Sequence, residues 1–155
     1  MANTYTQLYI HLVFAVANRM CLIDEDSKEE IQKYITGIVQ NKGNKLLAIN
    51  VMPDHIHILV GLNPTIAISD LVRDIKVNST NFINNKKLVR GKFNWQEGFG
   101  AFTYSRSHVK SVILYIEKQE EHHKRRSFKE EFIKILKDFD IAYKNEYLFK
   151  WIDTE

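Results

Sequence analysis

The order of hydrophobic periodicities along the chain predicts an α+β fold of the ferredoxin-like, split βαβ kind, with a central antiparallel sheet and additional C-terminal helices. Two observations carry this. The pattern runs strand, helix, strand, strand, helix, strand, and then turns helical to the end. The chain has 155 residues with only two prolines and six glycines, which suits one compact domain, residues 1–155, and leaves no room for a long linker.

Residues 5–16 (YTQLYIHLVFAV) are rich in aromatic and β-branched side chains and read as the first strand. Asp24, Asp26 and Ser27 are candidate caps for a helix whose stripe is Ile31, Ile35, Ile38 and Val39, closed by Gly43. Residues 45–52 and 55–61 are the next two strands, with Pro53-Asp54 turning the chain between them. Thr65 or Ser69 begins a second helix through Leu71, Ile75, Ser79 and Phe82. A basic loop over 84–92 leads to a fourth strand near 100–104. Ser107 is placed to cap a helix over 108–123. Ser127 opens the last helix, with Glu130 three residues on and Phe128, Phe132, Ile135 and Leu136 on its apolar side.

Apolar residues make up 45% and charged residues 26%, the balance of a folded protein rather than a disordered one. One cysteine, Cys21, excludes an internal disulfide and a thiolate metal cluster, and its apolar neighbours suit simple packing. No apolar run is long enough for a membrane helix, and the first residues lack the features of a signal peptide, so a cytoplasmic location is expected. The net charge of +3 is unevenly spread: residues 71–126 hold twelve Lys and Arg against five Asp and Glu. This concentrates cationic character where a polyanion could be gripped. Arg73, Lys76, Lys86, Lys87, Arg90 and Lys92 are the candidate polyanion-binding residues, placed to neutralise phosphates, and Phe93, Trp95 and Phe99 beside them are candidates for stacking on a ligand or for the core. Lys124, Arg125 and Arg126 form a second cluster, equally suited to a solvated helix end.

His55 and His57 lie two apart on a strand and therefore project to one face, opposite Ile56, Ile58 and Val60. Two imidazoles side by side make half a metal site. Tyr115, Gln119 and His122 fall together on the flank of the apolar stripe Val109, Val112, Ile113 and Ile116. An amide oxygen from Gln119 would give a third ligand, with the Tyr115 phenol beside the metal. Such a set suits Mn2+ at least as well as Mg2+, and a divalent ion can activate a phosphodiester toward a phenol. The same spacings are met by two surface histidines and a tyrosine packed at the core edge, so strand and helix need independent evidence that they meet.

That evidence is a resemblance. VMPDHIHILV and the segment WQEGFGAFTYSRSHVKSVILYIEKQEEHHKRRSFKEEF resemble, in this order, the paired-histidine strand and the tyrosine segment of the single-tyrosine HUH transposases of the smallest bacterial and archaeal insertion sequences, the TnpA-like family. The likeness extends to the opening strand with His11 and the closing IAYKNEYLF. It implies Tyr115 as nucleophile and His55, His57 and Gln119 as metal ligands, with Mg2+ or Mn2+ as cofactor. It further implies single-stranded DNA hairpins as substrate, a 5′-phosphotyrosine intermediate, and a homodimer in which the tyrosine helix can complete the partner's site. The competing readings are a nucleic-acid-binding module without catalysis, a zinc hydrolase using His55, His57 and His122, and a domesticated relative that cuts DNA hairpins for its host without mobilising an element.

Overall fold

The computed structural model describes residues 3–18, 22–123 and 125–151. Cys21 and Lys124 lie outside the described residues. Four strands, β1 (Tyr9–Ala15), β2 (Lys45–Val51), β3 (His55–Gly61) and β4 (Gly100–Thr103), form one sheet in the order β2-β3-β1-β4. Every pairing is antiparallel. This is the ferredoxin-like arrangement that the element order predicts.

Helices α1 (Glu25–Asn41) and α2 (Ile68–Asn85) precede and follow the β2-β3 hairpin. Asp24 caps α1 by accepting from the Ser27 N–H at 2.9 Å, and Gly43 takes the left-handed conformation (φ 80°) that ends it. The Ile31, Ile35 and Val39 stripe is fully buried against a core that includes Leu12, Phe14, Ile56, Ile58 and Val60. Burying side chains of this kind is worth about 1.5–3 kcal/mol each.

Alternation assigns the other sheet face to His11, Val13 and Ala15 of β1, His55, His57 and Leu59 of β3, Asn50 of β2 and Phe102 of β4. Three helices belong to this side: α3 (Val109–Glu117), α4 (Gln119–His123) and α5 (Phe128–Asp138). In α3, Val109, Val112 and Ile116 are buried with Ala48 and Leu59, while Phe128 and Phe132 of α5 meet His55 and Phe102.

Several expectations are corrected. The first strand is shorter than 5–16, because its partner β3 ends at Gly61 opposite Tyr9, and Tyr5 stands in solvent. The second helix begins at Ile68 after Ala67, not at Thr65 or Ser69; Thr65 instead bonds Asn63. Ser107 does not cap its helix but lies in a single 3-10 turn, Arg106–His108, ahead of α3. The helix expected over 108–123 breaks at Lys118. There the Asn50 side-chain amide donates to the Ile116 carbonyl at 2.9 Å, taking a carbonyl that a continuous helix would use itself.

Candidate metal and nucleophile site

His55 and His57 are fully buried rather than on an open sheet face. Phe128 of α5 stacks on His55 with ring centroids 3.9 Å apart and planes within 6° of parallel. Tyr115 of α3 meets His57 edge to face, 5.9 Å between centroids. Only Tyr104, Ser105 and the 3-10 turn separate β4 from α3, so α3 folds back over the sheet of its own chain.

The break at Lys118 has a consequence for the site. It starts α4 at Gln119, whose side chain is fully buried and carries Oε1 to 3.4 Å from His55 Nε2. Gln119 Nε2 donates at 3.0 Å to Glu131 Oε2. Glu131 of α5, 2% exposed, places Oε1 3.0 Å from His57 Nε2 and 3.7 Å from His55 Nε2. Its Oε2 also accepts the Tyr115 hydroxyl. His55, His57 and Glu131 offer ligand atoms within 4.8 Å of one another.

These side chains fit a divalent ion. Ligands about 2.1 Å from a metal lie roughly 3.0 Å apart in octahedral and 3.4 Å apart in tetrahedral geometry, and the contacts of Glu131 Oε1 (3.0 and 3.7 Å) and Gln119 Oε1 (3.4 Å) with the imidazoles lie near those values. The outer partners fit as well. His55 Nδ1–H donates to Asp54 Oδ1 at 2.7 Å, which directs the Nε2 lone pair into the site. His57 Nδ1 lies 2.8 Å from His11 Nε2, and the two rings stack 5.0 Å apart.

Burial, followed by the neighbouring His57, holds His11 well below the ordinary imidazole value. Burial also lowers His55, against the opposing pull of Asp54. Both rings are therefore neutral near pH 7, the state needed for metal ligation. Burial first, and then the Glu131 charge, raises the Tyr115 phenol above its usual range. A cleft of about 790 Å³ opens beside Tyr115 and Glu131. Tyr104, His108, Arg126 and Lys134 are among its walls.

The sequence-derived site residues thus divide. His55, His57, Tyr115 and Gln119 meet. His122 packs on Tyr115 with ring centroids 4.9 Å apart and the rings tilted by 31°, and does not join the His55, His57 and Glu131 group, so the zinc-hydrolase ligand set is not assembled. Arg73, Lys76, Lys86, Lys87, Arg90 and Lys92 belong to α2 and the loop after it, on the opposite layer from the histidines. Arg73 pairs with Asp70 and Asp74, and Lys86 with Glu30. Lys76 is half-buried, donates to the carbonyls of Gln96 (2.8 Å) and Gly98 (2.7 Å), and is lowered to about 8 by burial. Lys87, Arg90 and Lys92 are exposed. Phe93 and Trp95 are core residues rather than a stacking platform, with the Trp95 indole N–H donating to Ser79 at 2.9 Å; Phe99 is half-buried against the same core.

Glu131, Asp54 and the role of His11 escaped the sequence reading. A signal for Glu131 was present. It stands three residues after Phe128 and four before Ile135, on the apolar stripe of α5, where an acidic residue is out of place unless partnered.

The sequence model of the family described as Transposase IS200 like matches residues 4–119. The ISDra2 transposase TnpA of Deinococcus radiodurans is 26% identical over 118 residues, covering 73% of this chain and 84% of that protein. Two solved structures share the fold. One, from Deinococcus radiodurans R1 and described as a candidate transposase, has a TM-score of 0.60 at 24% identity, covering 77% of this chain and 95% of the other. The second, a REP-associated tyrosine transposase bound to a REP hairpin, has a TM-score of 0.58 at 17% identity, covering 79% and 73%. With the family model spanning well over half of its length, the chain belongs to the IS200-like transposase family.

Proposed function

We propose that this transposase binds single-stranded DNA hairpins at insertion-sequence ends and cleaves and rejoins strands through Tyr115, with His55, His57 and Gln119 holding a divalent metal. The observation that carries the reading is the meeting, within one chain, of the Tyr115 ring with His57 and of the Gln119 amide oxygen with His55. A hairpin substrate is supported by the similar REP-associated transposase, solved with a REP hairpin bound.

In this reading the Tyr115 oxygen attacks the scissile phosphorus. The phenol gives up its proton as its oxygen bonds phosphorus, the bond to the 3′ oxygen breaks, that oxygen takes up a proton and leaves as a hydroxyl, and the 5′ phosphate stays on the tyrosine. A later 3′ hydroxyl attacks the phosphotyrosine, restoring the diester and freeing the phenol. Bound Mn2+ or Mg2+ supplies charge withdrawal from a non-bridging oxygen and orients the scissile bond. Two imidazoles favour Mn2+ over Mg2+, which prefers oxygen ligands. The cleft beside Tyr115, with Arg126 and Lys134 on its wall, is the route for the strand. On the far layer, the exposed Lys87, Arg90 and Lys92 serve the hairpin backbone rather than the reacting phosphate, whereas Lys76 is committed to the Gln96 and Gly98 carbonyls and Arg73 and Lys86 to neighbouring carboxylates.

The test incubates the protein with hairpin-bearing single-stranded DNA and Mn2+ and looks for a covalent adduct on a denaturing gel. Wild type forms one and Tyr115→Phe forms none; an adduct with Tyr115→Phe assigns the nucleophile elsewhere. A homodimer is the assembly implied by the family resemblance. Mixing His57→Ala with Tyr115→Phe asks whether subunits share the tyrosine. Recovery of adduct formation means exchange, and its failure in a confirmed mixed dimer means that each chain uses its own.

A further inference from the structure

We propose that Glu131 is a fourth metal ligand, supplied by α5 from beyond the segment matched by the family model, and that the same carboxylate holds the Tyr115 hydroxyl against the metal site. The inference rests on the metal reading of His55 and His57 given above.

Four observations converge. The carboxylate is buried on the face of α5 turned to the sheet, on an otherwise apolar stripe of Phe128, Phe132 and Ile135. Its two oxygens point to different groups. Oε1 faces the Nε2 atoms of both histidines, at 3.0 and 3.7 Å, while Oε2 takes the Tyr115 hydroxyl and the Gln119 amide N–H. A metal seated between the imidazoles and Oε1 would leave Oε2 free to keep the phenol beside it. The third concerns Gln119, whose orientation depends on Glu131: by accepting from Nε2, the carboxylate turns the amide oxygen toward His55. Finally, α5 is firmly placed. Ser127 caps it by accepting from the Glu130 N–H at 3.2 Å, and Phe128 stacks on His55 itself.

The chemical consequence is a donor set of two nitrogens, one neutral oxygen and one anionic oxygen. The added carboxylate offsets one charge of the ion and moves the site toward hard cations such as Mn2+ and Mg2+. Glu130, the adjacent acid, is exposed and occupied with the cap, so the two neighbours differ in role.

Titration of the metal-free protein with Mn2+, followed by the loss of free-ion electron paramagnetic resonance signal, tests this. Glu131→Gln keeps the shape and is expected to weaken Mn2+ binding at least tenfold, with Glu130→Gln unchanged. Equal Mn2+ affinity in wild type and Glu131→Gln overturns the proposal while leaving the histidine site standing. Failure of wild type to bind Mn2+ overturns both readings. Should Glu131→Gln fail to fold, by circular dichroism, the wild type prepared with carboxyl-13C glutamate decides. Electron-nuclear double resonance of bound Mn2+ then shows a directly ligated carboxylate carbon, and the absence of that coupling removes Glu131 from the ligand set.

Discussion

The Nε2 of His11 lies 2.8 Å from Nδ1 of His57, although the two residues sit on different strands and are not direct cross-strand partners. Without metal, His57 Nε2–H donates to Glu131 and Nδ1 accepts from His11. Metal at Nε2 requires the opposite tautomer, with Nδ1–H donating to His11. An imidazole at position 11 serves both states because it can donate or accept at Nε2. His11→Phe keeps the bulk and loses this partner. Outer partners of this kind are worth about 10–100-fold in metal affinity. A Mn2+ titration of His11→Phe within threefold of wild type would rule out this role.

Acid sensitivity follows from the same two rings. His11 and His55 are held below the ordinary imidazole value of 6.5 in the fold, whereas the unfolded chain protonates them near that value. Below it the unfolded state binds more protons, so stability is complete above about pH 6.5 and falls as pH drops toward the folded values. Each histidine contributes up to about 1.4 kcal/mol per pH unit in that window. Urea unfolding of the metal-free protein between pH 7 and 5 should show the loss, and His11→Phe should reduce the slope. A slope identical in wild type and His11→Phe contradicts the assignment.

Tyr115 differs from an exposed tyrosine in a measurable way. Burial and the Glu131 charge keep its phenol protonated beyond the usual range. In the metal-free protein, the ultraviolet titration of wild type minus that of Tyr115→Phe should show no phenolate at pH 10, about where a free tyrosine is half ionised. A midpoint there would mean that the phenol is not held as described. Removing the hydroxyl also deprives a buried carboxylate of one donor, at a cost of about 1–3 kcal/mol in unfolding free energy.

Lysine and arginine in the basic region should separate by burial. Lys76→Met abandons the carbonyls of Gln96 and Gly98 and is expected to destabilise by about 1–3 kcal/mol. Exposed Arg90→Ala should leave stability within about 0.5 kcal/mol while reducing the salt dependence of hairpin binding by roughly one unit of slope. If the Arg90 slope stays at the wild-type value, that side chain does not neutralise a phosphate.

Local pattern made the sheet, α1, α2 and α5 legible, since each depends on apolar spacing and nearby caps such as Asp24 and Ser127. It also paired His55 with His57, because alternation on a strand is a local property, and grouped Tyr115 with Gln119 through helical spacing. Resemblance supplied the roles of these four. What the sequence left undecided were relations across the fold. Asn50 interrupts the predicted helix at Lys118 from 66 residues away, and no capping rule within the helix announces it. Phe93 and Trp95 became core because the loop that carries them returns to β1 and α2, with Gln96 N–H bonding the Ala15 carbonyl. His11 and Glu131 entered the site only when β1, β3 and α5 packed together. A histidine or glutamate among apolar neighbours signals a buried partner, but which partner is set by strand register and helix docking. By itself, then, the sequence determined which side chains share a face; tertiary packing decided which faces meet, because the contacts joining them span 46 to 74 residues of chain.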